Sequence, residues 1–417
     1  MSHMVLDPAP VLPQTAIRRH ATKHAEYHSS KKAFYRRHSC FTHSNSSLFD
    51  DPVNPVRHLV FTGRQKKTAK DLSIFSECGT IAYGVFASMV FYKKDGHLMY
   101  PLLLQAPIKQ YLWGGTRLIA DFGFHSSGDT AAEAWVLSCH KDGTCLVENG
   151  DRAGDSLSDV LADWGKPALG ARAAEFADFP LLIKLIDARD RLSVQVHPDD
   201  DYARRVEGEY GKTEMWYVVD CEPGAQLIYG FKQGITKAEF RRRIEDNTLT
   251  EVVNFVPVHK GDVFFIPAGT LHAIGAGILI AEVQQNSNTT YRVSDYGRLG
   301  ADGKPRALHI DKAVDVTETV PPRMPYGAVG EPITLPGGTL RPLASCPLFT
   351  AELLTLTGTV HVGVQDSFTS LVCLDGSAEL TAEGCPALSL TKGASVFLPA
   401  GLSAAVTGSA SLLCSRV

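Results

Sequence analysis

Long apolar segments are missing from this sequence of 417 residues. No run of about 18 or more apolar residues is present, which argues against a membrane-spanning helix. The nine cysteines are odd in number and scattered, and none of them forms a C-x2-C pair. This usage indicates free thiols in a reducing compartment, so we expect a cytoplasmic protein with no membrane partner.

An excess of positive charge is also missing outside the first 98 residues. Those residues hold 14 Lys and Arg against 7 Asp and Glu, together with 8 of the 15 histidines. Because the whole chain has a net charge of −4, residues 99–417 carry −11. An acidic body of this kind does not favour nucleic acid as a partner.

The basic segment 1–98 has few apolar residues at regular spacing. Such a composition cannot bury enough surface to offset the entropy lost on ordering, so we predict a disordered N-terminal extension. Its more apolar part, 74–92, is compatible with a helix or a hairpin and lies too far from the N-terminus for a signal peptide. A basic tail that binds nucleic acid is the alternative.

The segment Leu192–Tyr202, LSVQVHPDDDY, alternates apolar and polar residues. This period of two predicts a strand whose apolar face holds Val194 and Val196. The other face carries Ser193, Gln195 and His197. Two metal-binding groups two positions apart on one face can reach a single ion. The alternative is a half-buried strand with a polar outer face.

A second pattern follows in KGDVFFIPAGTLHAIGAG, which has the form G-x5-P-x-G-x2-H from Gly261 to His272. It resembles the second metal motif of the cupin superfamily. Between the two patterns, Lys212, Glu214 and Trp216 share one face of another predicted strand. We therefore predict a ligand set of two imidazoles, one carboxylate and one amide. These ligands suit zinc, although iron or manganese accept the same set: Gln195, His197, Glu214 and His272.

Longer segments resemble one enzyme family. FPLLIKLIDARDRLSVQVHPDD, GKTEMWYVV, GDVFFIPAGTLHAIGAGILIAEVQQ and NTTYRV are similar to type I mannose-6-phosphate isomerase, a zinc-dependent cupin enzyme. The similarity runs from about Tyr100 to about Asp315, and the length from Met99 onwards suits the short bacterial form. It implies a mainly β fold in which a cupin (jelly-roll) barrel carries the metal site. Because Met99 directly precedes the family-like part, we interpret residues 1–98 as an addition to it.

The resemblance implies an aldose–ketose isomerase with one Zn²⁺ per chain and a sugar phosphate as its small-molecule substrate. It would interconvert D-mannose 6-phosphate and D-fructose 6-phosphate by proton transfer through an enediolate. Since the sequence has no glycine-rich phosphate loop, side chains must hold the phosphate. We expect a monomer or a weak homo-oligomer.

The resemblance also assigns site residues. Catalytic roles in proton transfer and charge stabilisation fall on Lys212, Glu282 and Arg292. The Arg292 guanidinium could hold either the enediolate or the phosphate. Substrate binding falls on Ser193, Trp113 and Asn288. For Trp113 the choice between the core and the rim of the pocket stays open. At position 288 the family usually has aspartate, so asparagine removes a charge while it preserves the shape.

The C-terminal part repeats the second motif from Gly393 to Ala404, with alanine in the place of the histidine. We therefore predict a degenerate, metal-free cupin-like domain at 343–417, after a Pro- and Gly-rich linker at 319–342. The catalytic cupin domain is predicted at 99–318. It includes a small helical insertion, with helices over Asp155–Trp164 and after a capping box that begins at Thr236.

Alternative functions stay open at this point. A non-catalytic sugar-binding cupin would keep the barrel without a need for Lys212 and Arg292. A related cupin isomerase would prefer glucose 6-phosphate. A cupin oxygenase would require an iron site that is richer in histidine.

Overall fold

The computed structural model of this chain describes residues 93–94, 97–300, 303–323 and 325–417. Nearly all of the predicted disordered extension, including the apolar part at 74–92, lies outside the described residues. Within them, no helix has both the length and the apolar character that crossing a membrane requires. Each of the seven cysteines in the described part of the chain has a free thiol, as predicted.

The described residues form mainly strands, which confirms the predicted fold class. The helices are α1 (Arg117–Ala120), α2 (Leu157–Trp164), α3 (Lys166–Ala173), α4 (Asp200–Val206), α5 (Lys237–Glu245) and α6 (Ile310–Val316), with 3-10 turns at Gly150–Arg152 and Leu249–Glu251. The strands are β1 (Lys93–Lys94), β2 (His97–Leu98), β3 (Leu102–Gln105), β4 (Ile108–Lys109), β5 (Glu133–Leu137), β6 (Cys139–His140), β7 (Gly143–Thr144), β8 (Leu146–Val147), β9 (Leu181–Ala188), β10 (Val194–Val196), β11 (Glu214–Cys221), β12 (Gln226–Phe231), β13 (Val253–Pro257), β14 (Val263–Ile266), β15 (His272–Ala273), β16 (Ile278–Gln285), β17 (Tyr291–Ser294), β18 (Ile333–Leu335), β19 (Gly338–Ser345), β20 (Thr350–Leu356), β21 (Thr359–Val362), β22 (Thr369–Ala382), β23 (Leu388–Thr391), β24 (Ser395–Leu398) and β25 (Ala404–Arg416).

Two antiparallel sheets build the first half of the molecule. One has five strands in the order β13-β12-β15-β10-β17, and the other has six in the order β14-β11-β16-β9-β5-β4. Apolar side chains from both sheets meet in one buried cluster, which includes Trp216 and Phe264 from the second sheet and Leu227 and Tyr229 from the first. The two sheets therefore face each other, as in a sandwich or barrel.

Strand alternation gives each sheet an inner and an outer face. In β11 the side chains of Trp216 and Val218 point inward, whereas those of Met215 and Tyr217 join a separate cluster on the outer face. In β10 both valines face outward and pack with α5 and α6. The polar residues between these apolar ones must consequently point into the space between the sheets.

The C-terminal half forms a ten-stranded sheet with the main order β18-β19-β20-β25-β22-β24-β3-β8. Its aromatic residues Phe349, Phe368 and Phe397 are fully buried in the cluster that covers the outer face of the six-stranded sheet. The N-terminal strand β3 pairs with β24 in this sheet, Leu104 opposite Ser395. The two halves thus share a core and a sheet.

The sequence predicted two of the helices. Helix α2 begins after Ser156, and α5 begins after Thr236, whose hydroxyl accepts a hydrogen bond from the Glu239 amide at 3.0 Å. Within the predicted linker 319–342 the structure has β18 and the start of β19. The Pro336-Gly337 pair makes the turn of a hairpin there, so the C-terminal sheet begins at Ile333.

Replacement of Phe397 with Ala should destabilise the protein by about 3–5 kcal/mol, because it removes a fully buried ring between the two halves. Its centroid lies 5.2 Å from that of Phe368 and 6.3 Å from that of Phe179. Phe255 is 43% exposed and provides the control, since Phe255→Ala should cost less than about 1 kcal/mol. Urea unfolding measures both; an equal, small loss in the two variants would contradict this packing.

A shortened chain that begins at Met99 should fold and keep its activity. The four apolar clusters of the described chain contain buried residues from Leu102 onwards, so the shortened chain retains every one of them. Circular dichroism and thermal unfolding compare it with the full chain. Aggregation, or loss of most of the activity, would place residues 1–98 within the fold.

Candidate active site

The five-stranded sheet brings three of the four predicted ligands together, and Glu214 comes from β11 of the six-stranded sheet. Gln195 in β10 pairs with His272 of β15 on one side and with Arg292 of β17 on the other. His197 follows β10 directly, and its side chain is 1% exposed. Residues that are far apart in the sequence therefore become neighbours because the register of three short strands places them side by side.

Both imidazoles are held in one tautomer by the backbone. His197 donates its Nδ1–H to the carbonyl oxygen of Thr289 at 2.9 Å, and His272 donates its Nδ1–H to that of Thr270 at 2.8 Å. A carbonyl oxygen only accepts, so each Nδ1 carries the proton and each Nε2 keeps a lone pair. This is the arrangement in which a histidine binds a metal through Nε2.

The two lone pairs converge on Glu214. Its Oε1 lies 3.3 Å from His272 Nε2, and its Oε2 lies 3.6 Å from His197 Nε2. The ligand atoms of these three buried residues all lie within 4.8 Å of one another. The buried carboxylate contacts the ammonium of Lys212, 2.5 Å from Oε2, whereas Oε1 is buried without a hydrogen bond. Two neutral imidazole nitrogens and a carboxylate with one unpaired oxygen fit a divalent cation.

Gln195 lies next to this triad. Its Nε2 is 3.5 Å from His272 Nε2, so the amide is at the edge of the cluster. A 180° turn of the amide would present Oε1 without a change of shape. The structure therefore brings all four predicted ligands together.

Burial keeps both histidines neutral. Burial and the charge of Lys212 lower the pKa of His272 to about 3, and the same two causes hold the pKa of His197 well below its usual range. Burial and the repulsion of Glu282 raise the pKa of the Glu214 carboxyl. A neutral imidazole is the form that binds a metal, so both histidines are in that form near neutral pH.

A row of charged residues crosses the inner face of the six-stranded sheet. Trp216, Glu282 and Lys184 lie opposite one another on β11, β16 and β9. Glu282 Oε2 accepts a hydrogen bond from Trp216 Nε1 at 2.7 Å, and Oε1 lies 3.3 Å from Lys184 Nζ and 3.7 Å from Lys212 Nζ. Burial alone would raise the pKa of Glu282, but the two lysines lower it to about 2. Glu282 is therefore ionised.

A cavity of about 290 Å³ opens above this row. All the residues predicted to act on the substrate line it, and so does Gln195. The triad His197, Glu214 and His272 lies behind them, fully buried. Trp113 belongs to both predicted environments, because it lines the cavity and packs in the apolar cluster between the sheets. The predicted residues in the lining are Trp113, Ser193, Lys212, Glu282, Asn288 and Arg292.

A close approach of backbone positions Trp113. A Cβ atom added to Gly115 would lie 2.1 Å from a carboxylate oxygen of Asp187, and one added to Gly114 would lie 2.7 Å from the Ala132 side chain. Only glycine fits at these two positions. The tight turn holds the Trp113 ring against that of Tyr111, with the centroids 5.3 Å apart.

Three charged residues of the cavity were not predicted from the sequence: Lys184, Glu133 and Arg306. Lys184 is 4% exposed, and burial alone would lower its pKa, but Glu133 and Glu282 raise it. A lysine inside the apolar run PLLIKLI is an anomaly that could have signalled this position, as could the glutamate that begins EAWVL. No comparable signal marks Arg306, which lies in an irregular segment.

The comparisons with known proteins agree with this geometry. The family model for the phosphomannose isomerase type I catalytic domain matches residues 102–220, and the model for the mannose-6-phosphate isomerase cupin domain matches residues 341–417. The second match confirms a C-terminal cupin domain, while its descent from a metal-binding barrel stays a prediction.

Within the described residues, the triad above is the group of three His, Cys, Asp or Glu residues that could hold a metal.

Relatives that match over more than nine tenths of their own length extend the similarity. Mannose-6-phosphate isomerase of Streptococcus mutans is 38% identical over 299 residues, which are 72% of this chain and 92% of that protein. Mannose-6-phosphate isomerase ManA of Bacillus subtilis is 38% identical over 303 residues, 72% of this chain and 94% of that protein. A crystal structure of mannose 6-phosphate isomerase from Bacillus subtilis has a TM-score of 0.71 at 33% identity, and the alignment covers 76% of this chain and 100% of that one. This chain belongs to the type I mannose-6-phosphate isomerase family.

Proposed function

We propose that this chain interconverts D-mannose 6-phosphate and D-fructose 6-phosphate, with one zinc ion held by Gln195, His197, Glu214 and His272. The observation that carries the proposal is the position of Lys212. Its ammonium lies 3.1 Å from His197 Nε2 and 3.7 Å from Glu282 Oε1, and its side chain also lines the cavity. Lys212 therefore contacts the triad, lies beside Glu282 as a possible acid–base partner and borders the cavity that would hold the substrate.

The donor set is the reason to propose a metal. Glu214 Oε1 is buried without a hydrogen bond 3.3 Å from the lone pair of His272 Nε2, and two acceptors at that distance are costly to bury unless a cation binds them. A bound zinc ion would supply Lewis acidity toward a sugar oxygen. The choice of zinc over iron or manganese follows the family resemblance.

The proton transfer is assigned to Lys212 and Glu282. Isomerisation removes a proton from C2 of the aldose and returns one to C1, through an enediolate, while a proton moves between the two oxygens. Glu282 lines the cavity, and its Oε1 lies 3.7 Å from Lys212 Nζ. Because its pKa is held near 2, Glu282 alone is a weak base, and we assign the transfer to the pair rather than to one residue.

Phosphate recognition is assigned to two arginines of the cavity lining. Arg292 and Arg306 both line it, and the Nε of Arg292 is buried without a hydrogen bond. Burial and the neighbouring charge of Arg306 lower the pKa of Arg292, so a nearby anion would be favourable. Arg306 is partly neutralised by Asp295, which accepts two of its hydrogen bonds.

Side-by-side assays of mannose 6-phosphate, glucose 6-phosphate and fructose 6-phosphate test the reaction directly. We expect turnover between mannose 6-phosphate and fructose 6-phosphate and much slower turnover of glucose 6-phosphate. A preference for glucose 6-phosphate would replace this function with the related isomerase. Binding of the sugars without turnover would favour the sugar-binding alternative.

Replacement of His272 with Ala should leave a folded protein with little bound zinc and little activity. The C-terminal repeat supports this, because Pro399-Ala400-Gly401 forms its turn with Ala404 in the corresponding place. His259, whose side chain is 82% exposed, gives the control variant His259→Ala, which should keep its zinc. Metal analysis and circular dichroism check both proteins. Full zinc occupancy in His272→Ala would rule out the ligand assignment.

Replacement of Lys212 with Ala should lower turnover by roughly 10²–10⁴-fold, the usual contribution of an acid–base group. Zinc content should not fall, since lysine is not a ligand in this scheme. Lys260 is exposed, and Lys260→Ala is the matched control. Reaction in heavy water should place deuterium on carbon of the product, because a shuttled proton exchanges with solvent. Near-normal turnover of Lys212→Ala together with no carbon-bound deuterium at low conversion would contradict the mechanism.

A further inference from the structure

A chain of polar contacts reaches the candidate ligand His197 from the protein surface. Strands β6 and β7 form a short hairpin beside the mouth of the cavity, and its tip carries Lys141 and Asp142. These tip residues contact two other loops. One precedes β11 and contains Glu209; the other connects β16 to β17 and contains Asn288.

The contacts of the hairpin tip are hydrogen bonds and ion pairs. Asp142 Oδ2 accepts a hydrogen bond from Asn288 Nδ2 at 2.8 Å. Lys141 forms an ion pair with Glu209 Oε1, and the other oxygen of Glu209 accepts a hydrogen bond from the Thr289 hydroxyl at 3.2 Å. Two consecutive residues, Asn288 and Thr289, are thus held from the same side.

His140 supports the tip from beneath. It is buried, and its ring packs edge-on against Trp135 with the centroids 5.7 Å apart. Its Nδ1 accepts a hydrogen bond from the Asp142 amide at 3.1 Å, so Nε2 carries the proton and points toward Glu209 Oε1 at 3.8 Å. The hairpin therefore offers a preformed support rather than a loose loop.

The same residue Thr289 connects this support to the metal ligand. Its carbonyl oxygen is the acceptor for the His197 Nδ1–H. The position of that carbonyl determines the ring rotation of His197 and thereby the direction of its Nε2 lone pair. Partners of this kind commonly change metal affinity by about 10- to 100-fold when they are lost.

We propose that Glu209, Asn288 and Thr289 are positioning residues for the metal ligand His197, with the β6–β7 hairpin as their support. The proposal rests on the proposed function, because it takes His197 as a ligand. It also gives a reason for asparagine at position 288. Only the amide can donate to Asp142, whereas a second carboxylate at 2.8 Å would repel it.

The first test exchanges the two partners of the hydrogen bond. Asn288→Asp sets two carboxylates against each other and should weaken zinc binding by about 3- to 10-fold. The double variant Asp142→Asn with Asn288→Asp restores a donor opposite an acceptor and should recover most of that loss. The direction of the change in zinc affinity is diagnostic, because an added negative charge that acted only through space would tighten zinc binding.

The second test leaves all charges unchanged. Thr289→Val has nearly the same shape but lacks the hydroxyl that donates to Glu209, so zinc binding should weaken by about 3- to 10-fold. Thr289→Ser keeps the hydroxyl and should recover the affinity. The measurement is the dissociation constant of zinc for the metal-depleted full chain, by competition with a chelating dye.

The outcomes separate this proposal from the proposed function. The positioning proposal is supported if zinc binds more weakly to Asn288→Asp and to Thr289→Val. The affinity should then recover in the double variant and in Thr289→Ser. If the unaltered chain binds zinc and all variants bind it with the same affinity, the positioning proposal is overturned while the proposed metal site stands. Failure of the unaltered chain to bind zinc would overturn the proposed metal site and this proposal with it.

Discussion

The burial of the six-stranded sheet on both faces is the constraint on which the rest of the structure depends. Antiparallel sheets commonly leave one face in water. Here the outer face is covered by the C-terminal half, through the aromatic cluster of Phe349, Phe368 and Phe397. The inner face carries the charged row and Glu214. Every side chain of β9 and β16 is buried, so every charge on them requires a partner.

That requirement explains the composition of the site. Lys184 and Lys212 are buried among the carboxylates of Glu133, Glu214 and Glu282, all at or below 8% exposure. Opposite charges in such a low-dielectric space interact strongly, and each lone charge would be costly. Among these five side chains, the three carboxylates, when ionised, outnumber the two ammonium groups by one. A divalent cation bound by the adjacent imidazoles would reverse that excess.

The backbone, rather than other side chains, sets the orientation of the two histidines. Each Nδ1–H is bound to a carbonyl of an irregular segment, Thr270 after the Pro-Ala-Gly turn and Thr289 in the loop after β16. The conformation of an irregular segment depends on its contacts with the rest of the protein. The first is held by its turn, and the second contacts the β6–β7 hairpin, so the two imidazoles depend on different parts of the fold.

The sequence by itself predicted the strands and the candidate ligand set and determined the family, because these depend on local or recurrent patterns. A period of two identifies the inner face of β10 and β11, and the G-x5-P-x-G-x2-H spacing identifies His272. Only the tertiary structure decided which charged residues share the cavity. Lys184, Glu133 and Arg306 come from separate segments, and their meeting depends on strand register and on the packing of one sheet against the other. The pairing of Asn288 with Asp142 is of the same kind, since a contact between residues 146 positions apart leaves no trace in either local sequence.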